Sequence, residues 1–333
     1  MSKWFVVVMM SVSLPLFAAE RPSYGPQLEG FDYPYAAKNY AFESQGQRIQ
    51  MGYMDIKPSA KPNGRTVVLL HGKNFCGATW EGTIKPLSEA GYRVVVPDQI
   101  GFCRSSKPED YTYSFKQLAQ NTRGLLNSLG IDHATIVGHS MGGMLATRFA
   151  LTYPKQVDQL VLVDPLGLED WKAKGVPAIT FEQWYARDLK TTAQTIRKYQ
   201  QATYYANQWR PEFDRWVNMQ AGMYTGSGRE EVARASARTY VMIFNQPVFY
   251  EFEKLQMPTL LLIGQKDNTA VGKDLAPEPL RSTLGNYPEL GKAVAKRIPH
   301  ATLVEFAGLG HSPQTQDPAL FNKALLDGLM PSL

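Results

Sequence analysis

The chain carries a serine between glycines, in Val137-Gly138-His139-Ser140-Met141-Gly142-Gly143. An apolar run beginning at Ala134 precedes it and a helix-like run follows, so the pattern predicts a sharp strand-to-helix turn. Side chains two residues either side of Ser140 would collide in such a turn, and glycine removes them. A hydroxyl held there projects above a sheet, near a helix N-terminus where the Met141 N–H can stabilise developing negative charge. This suits attack on a carbonyl, which needs partners elsewhere in the chain.

A serine nucleophile needs a base to take its proton and an acid to fix the tautomer of that base. Of five histidines, His311 in Gly308-Leu309-Gly310-His311-Ser312-Pro313 is the candidate base, because it follows the last strand-like run. His71 is read as organising its own loop, His139 as the variable position of the serine turn, and His133 and His300 as solvated. The acid is Asp267 in Gly264-Gln265-Lys266-Asp267, which keeps the order serine, acid, histidine. Asp164, before Pro165, is its competitor and reads more simply as a turn residue. Oxyanion donors are expected from the Met141 amide and from the loop after Leu69-Leu70-His71-Gly72, there the Lys73 amide rather than that of Asn74. The Lys73 side chain receives no chemical role.

These residues need a scaffold that brings strand ends to one edge. Loose alternation from Asn39 to Ile56 predicts an antiparallel hairpin turned at Gln45-Gly46. Thr66–Leu70, Tyr92–Val96, Ala134–Val137 and Gln159–Val163 are short, β-branched apolar runs, as expected of strands buried on both faces of a parallel sheet. Between the second and third, Phe115, Leu118, Thr122, Leu125, Leu126 and Leu129 recur at helical spacing, with a capping box of Ser114 and Gln117 and a stop at Gly130. Met141, Leu145 and Phe149 give the helix after Ser140 one apolar face, and Tyr153-Pro154 ends it. Strand and helix in alternation mean an α/β domain with a mostly parallel sheet.

The rhythm breaks after Asp164-Pro165. Residues 165–256 read as helical and aromatic, with Trp171, Trp184, Trp209 and Trp216, before strands resume at Thr259–Ile263 and Thr302–Phe306 and a helix runs from about Pro318 to Leu329. Such an insertion between strands of one sheet is expected to be a lid over a core of residues 39–164 and 257–333. Most of its rings should form its own core and a minority should line a pocket suited to an acyl or aromatic group. Its charges nearly balance, with twelve Lys and Arg against ten Asp and Glu, which implies no strongly charged substrate.

Composition sets the class. At 333 residues, 44% hydrophobic and 20% charged, the chain can bury a large core. Lys3, the apolar stretch from Trp4 to Phe17, and Ala18-Ala19 resemble a signal peptide, so residues 1–18 are expected to be removed and the chain exported, periplasmic or secreted. About sixteen apolar residues fall short of a bilayer span, and no stable membrane insertion is expected. The net charge of +5 at pH 7 is modest, and no nucleic-acid partner is implied. Oligomeric state is not legible. Two cysteines, Cys76 and Cys103, fit no metal site and could be bridged in an oxidising compartment.

The motifs together resemble the α/β-hydrolase superfamily from about Asn39 to the end. Beside the serine turn stand His71-Gly72 with Trp80 downstream, Asp98-Gln99-Ile100-Gly101-Phe102 with Ser105, and Gly310-His311-Ser312-Pro313. The resemblance implies an eight-stranded, mostly parallel sheet flanked by helices, with a helical lid after the sixth strand. The branch it looks most like holds capped esterases, haloalkane dehalogenases and epoxide hydrolases. The last two use aspartate at the nucleophile position, so Ser140 argues against both. Family members often have glycine where Cys103 stands, and the loops of Cys76 and Cys103 leave neighbouring strands in this fold; a Cys76–Cys103 disulfide follows as an expectation, with two free thiols the alternative. The reading is an exported serine hydrolase of small, largely apolar esters or lactones, with no metal or organic cofactor required. An amidase or aminopeptidase, with Glu169, Asp170 or Glu182 gripping an amine, is the main alternative. A cofactor-free lyase or perhydrolase and a non-catalytic binding protein stand behind it.

Overall fold

The computed structural model describes residues 22–330; the signal-like segment lies outside them. Eight strands form one sheet in the order β1-β2-β4-β3-β5-β6-β7-β8. The leading hairpin joins β1 (Ala37–Ser44) to β2 (Gln47–Ile56), with Ser44 opposite Gln47. Its two-residue turn is Gln45-Gly46, with φ of 53° and 73°, the left-handed pair that matches the twist of a hairpin. β2 runs antiparallel to β4 (Arg93–Pro97), and the remaining pairings are parallel. These join β3 (Thr66–Leu70), β5 (Ala134–His139), β6 (Val157–Val163), β7 (Thr259–Gly264) and β8 (Ala301–Phe306). β5 and β7 are buried along their whole length, as runs without polar alternation should be, whereas the edge strand β8 is half exposed.

Helices cover both faces. α1 (Glu81–Glu89), α2 (Phe115–Ser128) and α3 (Met141–Thr152) follow the first strands. Ser114 Oγ accepts from Gln117 N at 3.0 Å, but the Gln117 side chain turns forward to Asn121 Oδ1. Only half of the expected capping box therefore forms. Gly130, at φ 65°, stops α2. After the insertion come α8 (Glu278–Arg281), α9 (Tyr287–Arg297), α10 (Pro313–Gln316) and α11 (Pro318–Gly328).

Between β6 and β7 the chain forms α4 (Phe181–Asp188), α5 (Ala193–Tyr199), α6 (Asp214–Thr225) and α7 (Arg229–Asn245). Thr180 with Gln183 and Thr192 with Thr195 make reciprocal caps that fix where α4 and α5 begin. Rings bind these helices together: Trp184 stacks on Tyr240 at 4.0 Å and Tyr205 on Phe213 at 3.8 Å. Trp171, Trp184 and Trp216 are buried in one apolar cluster with Leu145 and Phe149 of α3. The insertion thus shares its core with the face of the sheet that carries α3. Among the described residues no helix is long and apolar enough to cross a membrane.

Candidate active site

Parallel strands β3, β5, β6, β7 and β8 all end at one edge of the sheet, and the expected chemical groups follow those ends. Ser140 sits between β5 and α3 at φ 56° and ψ −121°, a conformation that a side chain adopts only under constraint. The constraint is bonded in place, because Ser140 N donates to Val163 O at 3.1 Å and Ser140 O accepts from Leu166 N at 3.0 Å. A Cβ on Gly138 would overlap the Gly142 carbonyl, and one on Gly142 would overlap that of Leu70. Both glycines of the motif are therefore steric necessities.

Ser140 Oγ lies 2.8 Å from His311 Nε2, and His311 Nδ1 lies 2.7 Å from Asp267 Oδ2. All three are nearly excluded from solvent. The second oxygen of Asp267 accepts from Thr269 N at 2.8 Å, which fixes the carboxylate plane. The Asp267 carboxylate oxygen beside Nδ1 places the His311 proton there and leaves Nε2 free to accept from the serine hydroxyl. The backbone N–H groups of Lys73, Asn74 and Met141 donate to no acceptor among the described residues. That leaves donors available on both loops for an oxygen that gains charge.

Asp164 does not touch His311. It is fully buried beside Asp267, at φ 37°, and its Oδ1 accepts from Gly264 N at 2.8 Å. Burial, then the neighbouring Asp267 charge, holds its pKa well above the usual carboxylate range, and its Oδ2 has no hydrogen-bond partner among the described residues. Its role is wider than that of a turn residue.

Two histidines of the motifs are structural parts of the site. His71 Nδ1 donates to Gly72 O at 2.8 Å while its Nε2 accepts from Gln99 N at 3.0 Å, so it organises the loop as expected. His139, read as the variable position of the serine turn, donates from Nε2 to the carbonyl of His311 at 2.7 Å. Burial holds both imidazoles neutral by lowering their pKa, in His139 with a further push from His311. The insertion also grips the histidine loop. His311 N and Ser312 N donate to the carbonyls of Thr203 and Tyr204, and the Tyr204 ring lies 5.3 Å from His311. Local sequence offered no signal for these bonds, which span more than a hundred residues.

Cys76 and Cys103 are bonded to each other, with Cα atoms 6.0 Å apart. Cys103 has φ 42°, the left-handed region that favours glycine, which is the physical reason glycine suits this position. The Lys73 side chain points under the insertion. Its Nζ donates to Ser236 Oγ at 2.6 Å and stands 3.5 Å from the centroid of Tyr240. Burial lowers its pKa to about 8, against the opposing pull of Asp188. Beside it a cavity of about 130 Å³ runs between Asn74 and helices α4 to α7. Glu169 is engaged by Trp171, Lys174 and the Gly285 N–H, and Asp170 by Tyr250 and Ala173. Glu182 lies exposed in the first turn of α4. None of the three lines the cavity.

Residues 65–318 match the family described as alpha/beta hydrolase fold. The chain belongs to that family. It is 64% identical to a solved structure of a probable hydrolytic enzyme from Pseudomonas aeruginosa PAO1, covering 93% of this chain and 99% of that one with a TM-score of 0.92. It is 34% identical to the AB hydrolase superfamily protein YfhM of Bacillus subtilis over 112 residues, 33% of this chain and 39% of that protein. It is also 38% identical to 2-hydroxy-6-oxo-6-phenylhexa-2,4-dienoate hydrolase of Burkholderia cepacia over 108 residues, 32% of this chain and 38% of that protein. The chain thus spans about two fifths of the length of these curated relatives.

Proposed function

We propose that this hydrolase is an exported serine esterase or lactonase that works through an acyl-enzyme on Ser140. The observation that carries the reading is the buried chain from Ser140 Oγ through His311 to Asp267, at 2.8 Å and 2.7 Å. Ser140 Oγ attacks the carbonyl carbon as its proton passes to His311 Nε2. The carbonyl oxygen, now anionic, takes hydrogen bonds from the Met141 and Lys73 amides. When the carbon–oxygen bond to the leaving alcohol breaks, His311 returns the proton to that oxygen. Water then repeats the sequence, with His311 taking its proton, and frees the acid and Ser140. Asp267 orients His311 and stabilises its charged form.

An intact triad disfavours a purely binding role. An amine-gripping amidase is disfavoured because Glu169 and Asp170 are committed to internal partners. Residues 165–256 would act as the lid, since they supply every lining residue of the cavity except Asn74. Rings are present there as expected, but as phenols among hydroxyls and amides, so the bound group need not be largely apolar. The signal-like residues 1–18 and the Cys76–Cys103 bridge support export.

The test is a fluorophosphonate probe with a p-nitrophenyl ester series of increasing chain length. Labelling of the wild type and its loss in Ser140→Ala are expected; a folded wild type that takes no label refutes the serine mechanism. For export, the protein recovered from periplasm or medium should lack its first residues by intact mass. Retention in the cytosol with an intact leader would refute that part.

A further inference from the structure

A buried ammonium is unstable unless it meets an anion or several acceptors. Lys73 is only 9% exposed, and its Nζ meets one neutral hydroxyl, Ser236, and one aromatic face, Tyr240. It makes no direct ion pair among the described residues. Asp188 acts on it through its charge alone, at more than ion-pair distance. Two N–H bonds of the ammonium have no hydrogen-bond acceptor among the described residues.

Those bonds belong to a wall of the space between core and insertion. A cavity of about 30 Å³ touches Lys73, and it shares Asn74, Gln220, Tyr224 and Ser236 with the larger cavity of about 130 Å³. Among the residues that line the larger one, only Ile196 lacks a polar side chain. Tyr199, 44% exposed, opens it to solvent. A second buried ammonium, Lys107, stands on the smaller cavity, held by the carbonyls of Cys103 and Ser105 at 2.8 and 3.2 Å. The charged side chains that line the two joined cavities are Lys73 and Lys107 on the smaller and Asp188 on the larger, a net of one positive charge. A substrate cation would enter beside like charge, whereas an anion would complete the coordination of Lys73.

We propose that this space is an anion subsite in which Lys73 Nζ binds a carboxylate carried by the substrate a few bonds from the scissile carbonyl. Ser140 and His311 line neither cavity, so the link to the scissile carbonyl runs through residue 73 itself, whose amide is the proposed oxyanion donor and whose side chain reaches the cavity wall. The substrate class narrows to esters or lactones bearing a second, ionised acid group. This rests on Ser140 as the nucleophile. The near balance of twelve basic and ten acidic residues in the insertion conceals the feature, since the decisive charge lies on the core loop and is buried.

The experiment compares kcat/KM for two matched pairs in a pH-stat assay at pH 7. Monomethyl glutarate is set against methyl 4-carbamoylbutanoate, and 4-acetoxybutanoate against 4-acetoxybutanamide, so that the carboxylate lies on the acyl or the alcohol side. The wild type should favour the carboxylate in at least one pair by about tenfold or more, the scale of a hydrogen-bonded charge, and Lys73→Met should bring that ratio close to one. Equal turnover of both members of both pairs by the wild type overturns the subsite, as does a preference that survives in Lys73→Met. Lys73→Gln serves the same comparison if the Met variant does not fold. A binding readout separates the two readings: glutarate, but not glutaramide, should raise the melting temperature of Ser140→Ala and leave Ser140→Ala/Lys73→Met unmoved. Loss of fluorophosphonate labelling would defeat the nucleophile alone, whereas absence of the glutarate shift would defeat the subsite alone.

Discussion

Breaking the Cys76–Cys103 bridge tests how the loop after β3 is held. The bridge closes 27 residues, and the loop-closure entropy it removes from the unfolded chain is worth ~3.5 kcal/mol at 25 °C. For a chain of 333 residues, with an unfolding entropy near 2.1 cal/mol/K per residue, that becomes a fall in Tm of about 5 °C. Two double variants separate the bridge from the backbone. Cys76→Ser/Cys103→Ser loses the bridge and leaves a side chain at φ 42°, whereas Cys76→Ser/Cys103→Gly loses it and relieves about 1 kcal/mol of left-handed strain. The glycine variant should therefore melt between the wild type and the serine variant. Calorimetry at one fixed scan rate gives Tm, and thiol titration of the unfolded, unreduced wild type gives the bond count. Two reactive thiols in the wild type, or a serine double variant melting within about 1 °C of it, would refute the reasoning.

Two further perturbations read the buried titrating groups. Asp164 has a raised pKa in the fold, so the unfolded state releases its proton first and stability declines as pH rises from about 3.9 towards the folded value. Asp164→Asn keeps a neutral group there and should unfold at higher denaturant than wild type at pH 7 but not at pH 4; equal midpoints at pH 7 would show that Asp164 is ionised. His71 and His139 have lowered pKa values, so their unfolded forms take up protons below about pH 6.5 and stability should drop there by up to ~1.4 kcal/mol per pH unit for each. Urea midpoints between pH 7 and 5 check this, and a His139→Asn variant with the same slope as wild type would remove His139 from the account.

The strands, α2, α3 and the positions of Ser140, Asp267 and His311 were legible because each is set by local rules. Apolar runs make buried strands, glycines permit the serine turn, and the order of the groups follows from which strand ends share an edge. What was not legible is long-range. His139 looked like a spacer because its partner, the His311 carbonyl, is 172 residues away. The hold of Thr203 and Tyr204 on the histidine loop, and the reach of Lys73 to Ser236 across 163 residues, depend on how the insertion docks. Asp164 was seen as a turn residue because its neighbour Asp267 follows the adjacent strand β7, about a hundred residues on. The half-formed box at Ser114 shows the same limit: Gln117 had a better partner one turn along, in Asn121.

β6 and β7 pair directly, Leu160 with Thr259 through Val163 with Leu262, although residues 165–256 separate them in the chain. The sheet therefore closes the ends of the insertion whatever its length, and doubling a flexible excursion adds only about 0.6 kcal/mol of closure entropy. Evolution can lengthen, shorten or exchange this segment while the strand ends that hold Ser140, Asp267 and His311 stay in register. The bonds from Thr203 and Tyr204 limit that freedom: any replacement must again offer two carbonyls to the histidine loop. New specificities in this lineage should thus arise by trading helices within the excursion around a retained stretch near residue 203.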